Sequence, residues 1–195
     1  MEIPGAPKYH PTDVDNPHLG GNIKGGDPLT FYPEAWKYLV KRFAVKSVLD
    51  VGCGEGHATK FFVDLGCTAI GIDGLKANAE KTLEKGCQTI MLDIARGYCK
   101  IDVDLVWCCE TVEHVAEEHL GNLLRTMSSG RIVAMTPALP GQCGWHHVNC
   151  KEQDYWMVKM TALGYAFLQE ETGIARNLAC RYFKETGLVF KRVRI

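Results

Sequence analysis

Short apolar segments alternate with amphipathic ones along most of this chain, and that alternation constrains the fold more than any other feature. KSVLDVG (46–52), TAIGID (68–73), CQTIMLD (87–93), DLVWCCE (104–110) and RIVAMT (131–136) read as short buried strands. Between them EGHATKFFVDLG (55–66) and LKANAEKTLEKG (75–86) read as helices stopped by glycine. Residues 30–43 put Phe31, Ala35, Trp36, Leu39, Val40 and Phe43 on one helical face, and 115–128 do the same with Ala116, Leu120, Leu123, Leu124 and Met127. Helices are also predicted over 151–163 and 172–185, and strands over 165–169 and 188–193. Strands alternating with helices imply right-handed crossovers and a mainly parallel, doubly wound α/β sheet with helices on both faces. Ligands of such sheets bind beyond the carboxyl ends of the strands, so the residues just after each strand carry the functional question.

A chain of 195 residues fits one domain. The N-terminus, MEIPGAPKYHPTDVDNPHLGG, is polar and rich in Pro and Gly, which does not fit a secretion signal. It reads as an irregular arm or lid over 1–29, with Gly20, Gly21, Gly25 and Gly26 as hinges, ahead of a single domain over 30–195. No apolar run approaches the ~20 residues of a membrane span. With 22 basic and 23 acidic residues the net charge is −1, which disfavours tight nonspecific binding to nucleic acid. Lys184, Lys191, Arg192 and Arg194 could still form a local basic patch. The nine cysteines are an odd number and several lie inside apolar runs, as Cys108 and Cys109 do. They read as reduced thiols of a cytoplasmic protein.

After the first strand comes Asp50-Val51-Gly52-Cys53-Gly54-Glu55-Gly56. Gly52 permits a tight turn, and Gly54 lets the backbone approach a ligand. A dinucleotide fingerprint would need its third glycine at position 57, which is His57, and no Lys-Ser/Thr follows to make a P-loop. Asp50 beside the loop repels pyrophosphate but suits an ammonium group. Asp73 ends the second strand, 21 residues after Gly52, where a carboxylate accepts both ribose hydroxyls. Asp93 ends the third, where it can accept from an adenine amino group between Leu92 and Ile94. Each aspartate alone is commonly a turn or cap residue. Three in register after successive strands form a joint signal.

VLDVGCGEG, GIDG, MLDI and DLVWCCETVEHV together resemble the class I S-adenosylmethionine-dependent methyltransferases, closely over 45–136. The resemblance implies a Rossmann-like seven-stranded sheet of order 3-2-1-4-5-7-6 with strand seven antiparallel. The last strands usually form a hairpin there, whereas 172–185 looks helical in this sequence. It also implies S-adenosylmethionine as cofactor. Asp50, Gly52, Cys53, Gly54 and Gly56 would hold its methionine end, Asp73 and Gly74 the ribose, and Asp93 and Ile94 the adenine, with Glu110 also on the cofactor side. The pattern through PGQCGWHHVNCKEQDYW is similar to methyltransferases of phage and environmental genomes.

Glu110-Thr111-Val112-Glu113-His114 resembles the metal-binding motif of the ubiquinone-biosynthesis O-methyltransferases and of terminal-ribose RNA 2′-O-methyltransferases, where a further His lies beyond strand five. Here His147, or His146, has a comparable place, so Glu110, Glu113, His114 and His147 are candidate ligands for Mg²⁺ or Mn²⁺. Such a metal would lower the pKa of an acceptor hydroxyl. V-E-H is also common in members without metal, where the Glu merely favours a helix N-terminus. The catalytic group is then a metal-free base, His147 with His146 and His114 as alternatives. Cys143, His146, His147 and Cys150 also permit zinc, although adjacent His side chains make a closed tetrahedron awkward. Tyr155 and Trp156 are acceptor-pocket or core residues. The expected activity is methyl transfer to an oxygen of a small molecule or sugar. Its rivals are RNA or DNA methylation and a non-catalytic cofactor-binding subunit.

Overall fold

The computed structural model describes residues 18–19 and 23–193. Most of the arm expected over 1–29, with its hinge glycines Gly20 and Gly21, and Arg194 of the basic patch lie outside the described residues. In chain order the elements are α1 (Pro33–Phe43), β1 (Ser47–Val51), α2 (His57–Asp64), β2 (Thr68–Asp73), α3 (Lys76–Glu84), β3 (Gln88–Met91), β4 (Val103–Cys108), α4 (Leu120–Met127), β5 (Gly130–Met135), α5 (Gln153–Ala162), β6 (Tyr165–Phe167), α6 (Gln169–Asn177), α7 (Arg181–Thr186) and β7 (Leu188–Arg192). One sheet holds all seven strands in the order β3-β2-β1-β4-β5-β7-β6. β7 runs antiparallel to both β5 and β6, and the other pairings are parallel. The expected order and the one reversed strand are therefore present.

Side chains alternate between the two faces of each strand. Val48, Leu105, Trp107, Ile132, Ala134 and Val189 point to one core with Trp36, Leu39, Phe62, Ala175 and Phe183 from α1, α2, α6 and α7. Leu49, Val51, Val106, Cys108, Val133, Met135, Leu188 and Phe190 point to the other, with Leu120, Leu123, Met127, Trp156 and Met160 from α4 and α5. Both faces are covered, which is why the central strands read as unbroken apolar runs. β1 lies between β2 and β4, and the chain turns outward in opposite directions on its two sides. That reversal opens a crevice at the carboxyl ends of β1 and β4.

Two helical predictions need correction. Residues 115–128 are not one helix: 3-10 turns occupy Val112–His114 and Glu117–His119, and α4 begins at Leu120. Ala116 between them is extended (φ −58°, ψ 148°), so the chain can bury Val112 and Glu113 first and Leu120 and Leu123 afterwards. The span 172–185 is two helices, broken before Arg181, whose φ is +42°. The break lets Phe183 stack on Trp107 (centroids 5.0 Å apart, 18° between planes) while Ala175 of α6 packs into the α1 side of the core. The expected cysteine environment holds in part. Cys53, Cys67, Cys87 and Cys108 are buried, Cys143 and Cys180 are exposed, and all nine are free thiols.

Candidate active site

A cavity of about 870 Å³ opens at the carboxyl edge of the sheet. Its floor is the loop after β1. The amides of Gly52 and Cys53 both donate to the Ile72 carbonyl, at 2.8 and 2.9 Å, which folds the loop back over β2. Gly52, Gly54 and Gly56 all have positive φ (72°, 54° and 78°). A Cβ on Gly52 would stand 2.1 Å from Thr111 Oγ1, whereas a Cβ on Gly54 would meet nothing within 4 Å. The first glycine is there for packing, and the second presents bare backbone to open space.

The aspartates sit where the strands place them. Asp50 is 2% exposed and accepts from Thr59 Oγ1 at 2.6 Å. Burial, less the help of that hydroxyl and with Asp73 adding repulsion, pushes its carboxyl up to about 7. Asp73 accepts from the Gly54 amide at 2.9 Å with one oxygen, and from the Leu75 amide and Asn78 Nδ2 at 2.8 and 3.1 Å with the other. It thereby joins the glycine loop to the start of α3. Asp93 accepts from the Ala95 amide at 2.9 Å, and its second oxygen meets His18 Nε2 at 2.9 Å and Arg96 Nε at 3.2 Å. Leu19, next to His18, lies against Gly74, where a Cβ would come 2.4 Å from Leu19 Cδ2. Asp50, Gly52, Cys53, Gly54, Asp73, Gly74, Asp93, Ile94 and Glu110 all line this one cavity. Gly56 stands behind it, its α-carbon against Thr82.

Across the crevice, β4 and β5 supply the other wall. Glu110 adopts φ +50°, a strained conformation for a side chain, and is fixed there by Thr136 at the end of β5. Thr136 Oγ1 accepts from the Glu110 amide at 2.7 Å and donates to its Oε1 at 2.9 Å. Burial, aided by the carboxylates of Asp27 and Glu185, pushes the Glu110 carboxyl up to about 7. Asp27 and Tyr182, which the sequence reading did not select, line the same region. Asp27 caps a 3-10 turn at Pro28–Thr30, and an Asp before Pro is the only local signal it carried.

The 3-10 turn Val112–His114 and the loop after β5 meet at a third feature. The amides of Val148 and Asn149 both donate to the Glu113 carbonyl at 3.0 Å, which draws the loop onto the turn. One ligand atom each from Glu113, His114 and His147 then lies within 4.8 Å of the others. The imidazoles of His114 and His147 meet edge to face, with centroids 5.1 Å apart. His147 Nδ1 stands 3.0 Å from the Gln142 carbonyl, which can only accept, so the neutral tautomer has its proton on Nδ1 and its lone pair on Nε2. Glu113 is fully buried, with no hydrogen bond to either carboxyl oxygen, and His114 Nε2 stands 4.0 Å from its Oε1. Burial and the nearby Glu110 hold its carboxyl well above the usual range, and burial with His147 nearby pulls His114 down to about 4. A buried carboxyl without a hydrogen bond, beside two imidazoles, suits a cation.

Of the four ligands expected for a metal, Glu110 stands outside this close group, its Oε1 engaged by Thr136. His146 (φ +46°) faces the arm instead, 6.3 Å from the His18 ring. The zinc arrangement does not form among the described residues. Cys143 and Cys150 direct their thiols at the carbonyls of Gly141 and Gln142, at 3.9 and 3.7 Å. Tyr155 and Trp156 do not line the cavity. The Tyr155 hydroxyl donates to Glu117 at 2.6 Å, and Trp156 is core.

A family model described as a methyltransferase domain matches residues 29–170. No curated protein matches the sequence. Among solved structures, the chain resembles magnesium protoporphyrin IX methyltransferase from Synechocystis PCC 6803 with bound S-adenosylmethionine, at TM-score 0.63 and 16% identity over 82% of this chain and 76% of that one. A TehB-like S-adenosylmethionine-dependent methyltransferase from Corynebacterium glutamicum gives TM-score 0.60 and 18% identity over 87% and 91%. The methyltransferase domain of a bacterial Hen1 gives 0.61 and 16% over 83% and 97%.

Proposed function

The chain belongs to the methyltransferase-domain family, and we propose that it moves the methyl group of S-adenosylmethionine to a hydroxyl oxygen of a small molecule or sugar. The cavity fits the cofactor: bare backbone at Gly54 faces open space between Asp50, Asp73 and Asp93. When bound, S-adenosylmethionine supplies an electrophilic methyl on a sulfonium. Asp50 would hold the ammonium of its methionine end, Asp73 the ribose hydroxyls, and Asp93 with Ile94 the adenine edge. Transfer would exchange the carbon–sulfur bond for a carbon–oxygen bond, with the hydroxyl proton leaving to solvent or to His147, and the chain's part is to position the two reactants.

The observation that carries the acceptor side is the buried Glu113 carboxyl with no hydrogen bond to either oxygen, beside His114 and His147. These three would hold a divalent cation. Mn²⁺ suits their imidazoles better than Mg²⁺, which prefers oxygen ligands throughout. Bound there, the cation supplies Lewis acidity that lowers the pKa of an acceptor hydroxyl. Without it, His147 Nε2 is the free lone pair that takes the hydroxyl proton.

The lining supports an uncharged acceptor over RNA. Asp27, Glu110 and Glu118 line the cavity, and none of its described lining residues is Lys or Arg. A ribose-phosphate chain would meet carboxylates there. Lys191 and Arg192, from the expected basic patch, line a separate hollow with Arg131 and Ala166.

The test is transfer of labelled methyl to matched neutral and phosphorylated polyols, phenols and short RNAs, with Mn²⁺ and with chelator. Transfer to neutral hydroxyls that stops on chelation supports the reading in full. Transfer that persists on chelation but is lost in His147→Ala moves the role to the metal-free base. Transfer to RNA alone overturns the acceptor assignment.

A further inference from the structure

Among the described residues, eight buried side-chain nitrogen and oxygen atoms have no hydrogen-bond partner, and five of them belong to three residues. These are Oε1 and Oε2 of Glu113, Nδ1 of His114, and Oδ1 and Nδ2 of Asn149. The side chain of Asn149 is 1% exposed, and its backbone amide donates to the Glu113 carbonyl at 3.0 Å, two residues after His147. A buried amide with neither its oxygen nor its nitrogen paired is a costly arrangement for a residue with only a structural part. The partly buried and buried asparagines elsewhere behave differently: Asn122 Nδ2 donates to the Ile94 carbonyl at 2.9 Å, and Asn78 Nδ2 donates to Asp73.

We propose that Asn149 is a fourth member of the Glu113–His114–His147 centre, presenting its side-chain oxygen to the divalent cation. The inference rests on the metal reading above. An amide oxygen is a common ligand of hard cations, and it completes the set without adding charge. Glu113 then remains the one anionic side chain of the four. A divalent cation held there would retain a net positive charge, which favours the deprotonated form of an acceptor hydroxyl.

The test is Mn²⁺ titration of the full chain by calorimetry, with thermal melts in the absence and presence of Mn²⁺. The wild type should bind one Mn²⁺, and Glu113→Gln should lose it. Asn149→Leu should weaken binding by roughly 10–100-fold. Its melting temperature without metal should not fall, because an unpaired amide is exchanged for apolar volume. Asn149→Asp, which keeps an oxygen in place, should bind Mn²⁺ at least as tightly as the wild type, and it decides the matter if the leucine variant does not fold. Wild-type affinity in Asn149→Leu, or weakened binding in Asn149→Asp, overturns the role of Asn149 and leaves the three-residue centre standing. A wild type that binds no Mn²⁺ overturns the centre and this proposal together.

Discussion

The imidazole of His18 stands 2.9 Å from the carboxylate of Asp93, so a residue of the segment expected to form an arm engages the acid after β3. The arm touches the cavity at two further points. The Gly25 amide donates to Glu55 at 2.8 Å, and Gly26 lies under the His57 ring. Its described residues are thus laid along the cavity, on the side proposed for the cofactor. Amide exchange at residues 23–26 should slow when S-adenosylmethionine is added, as expected of a segment that closes over a ligand. Equal exchange with and without cofactor would make the arm a fixed part of the fold.

The two glycines of the loop should respond differently to alanine. Gly52→Ala meets both a positive φ and Thr111 Oγ1 at 2.1 Å, so it should lower stability by about 1–3 kcal/mol or more and abolish cofactor binding. Gly54→Ala has room for its methyl, so it should lose only about 1–2 kcal/mol from backbone strain and show its main effect as weaker cofactor binding. Chemical denaturation paired with calorimetry separates the two.

Asp50 sets a pH dependence. Its folded carboxyl, at about 7, lies above its usual 3.8, so the folded protein holds that proton more tightly than the unfolded chain does. The resulting stability is fully present below about pH 4 and is lost as pH rises through about 7. Glu110, also at about 7, contributes with the same sign. Pairing with the cofactor ammonium should expel the Asp50 proton, so affinity should climb from pH 5.5 to 7.5 and then level. Calorimetry in buffers of different ionisation enthalpy should register proton release in the wild type and less of it in Asp50→Asn.

Gly144 packs against the Nε2 edge of the His147 ring. A Cβ there would stand 2.1 Å from His147 Nε2, so Gly144→Ala should push the ring off its place beside His114 and Glu113. Mn²⁺ affinity should fall at least as far as in His147→Ala, while S-adenosylmethionine binding stays near wild type. Unchanged Mn²⁺ binding would show that the ring has another seat.

Much of this was legible in the sequence because it depends on local pattern. The strands declared themselves as short apolar runs, and Asp50, Asp73 and Asp93 followed from their position after β1, β2 and β3. The glycine loop was legible from spacing alone. What the sequence could not reveal depends on contacts between distant segments. The pairing of Asp93 with His18 spans 75 residues, and the hold of Thr136 on Glu110 spans 26. Arg181 at φ +42° breaks a stretch whose periodicity reads as one helix, because Phe183 must reach Trp107. Asn149 carried no signal of its own, since only burial without partners distinguishes it from any loop asparagine.

Titration of S-adenosylmethionine and of its demethylated product into the folded chain by calorimetry tests the central claim most directly. The account predicts that each binds in a 1:1 ratio and that Asp73→Ala, which removes the carboxylate joining the glycine loop to α3, weakens both. Folded wild-type protein that binds neither ligand would contradict it.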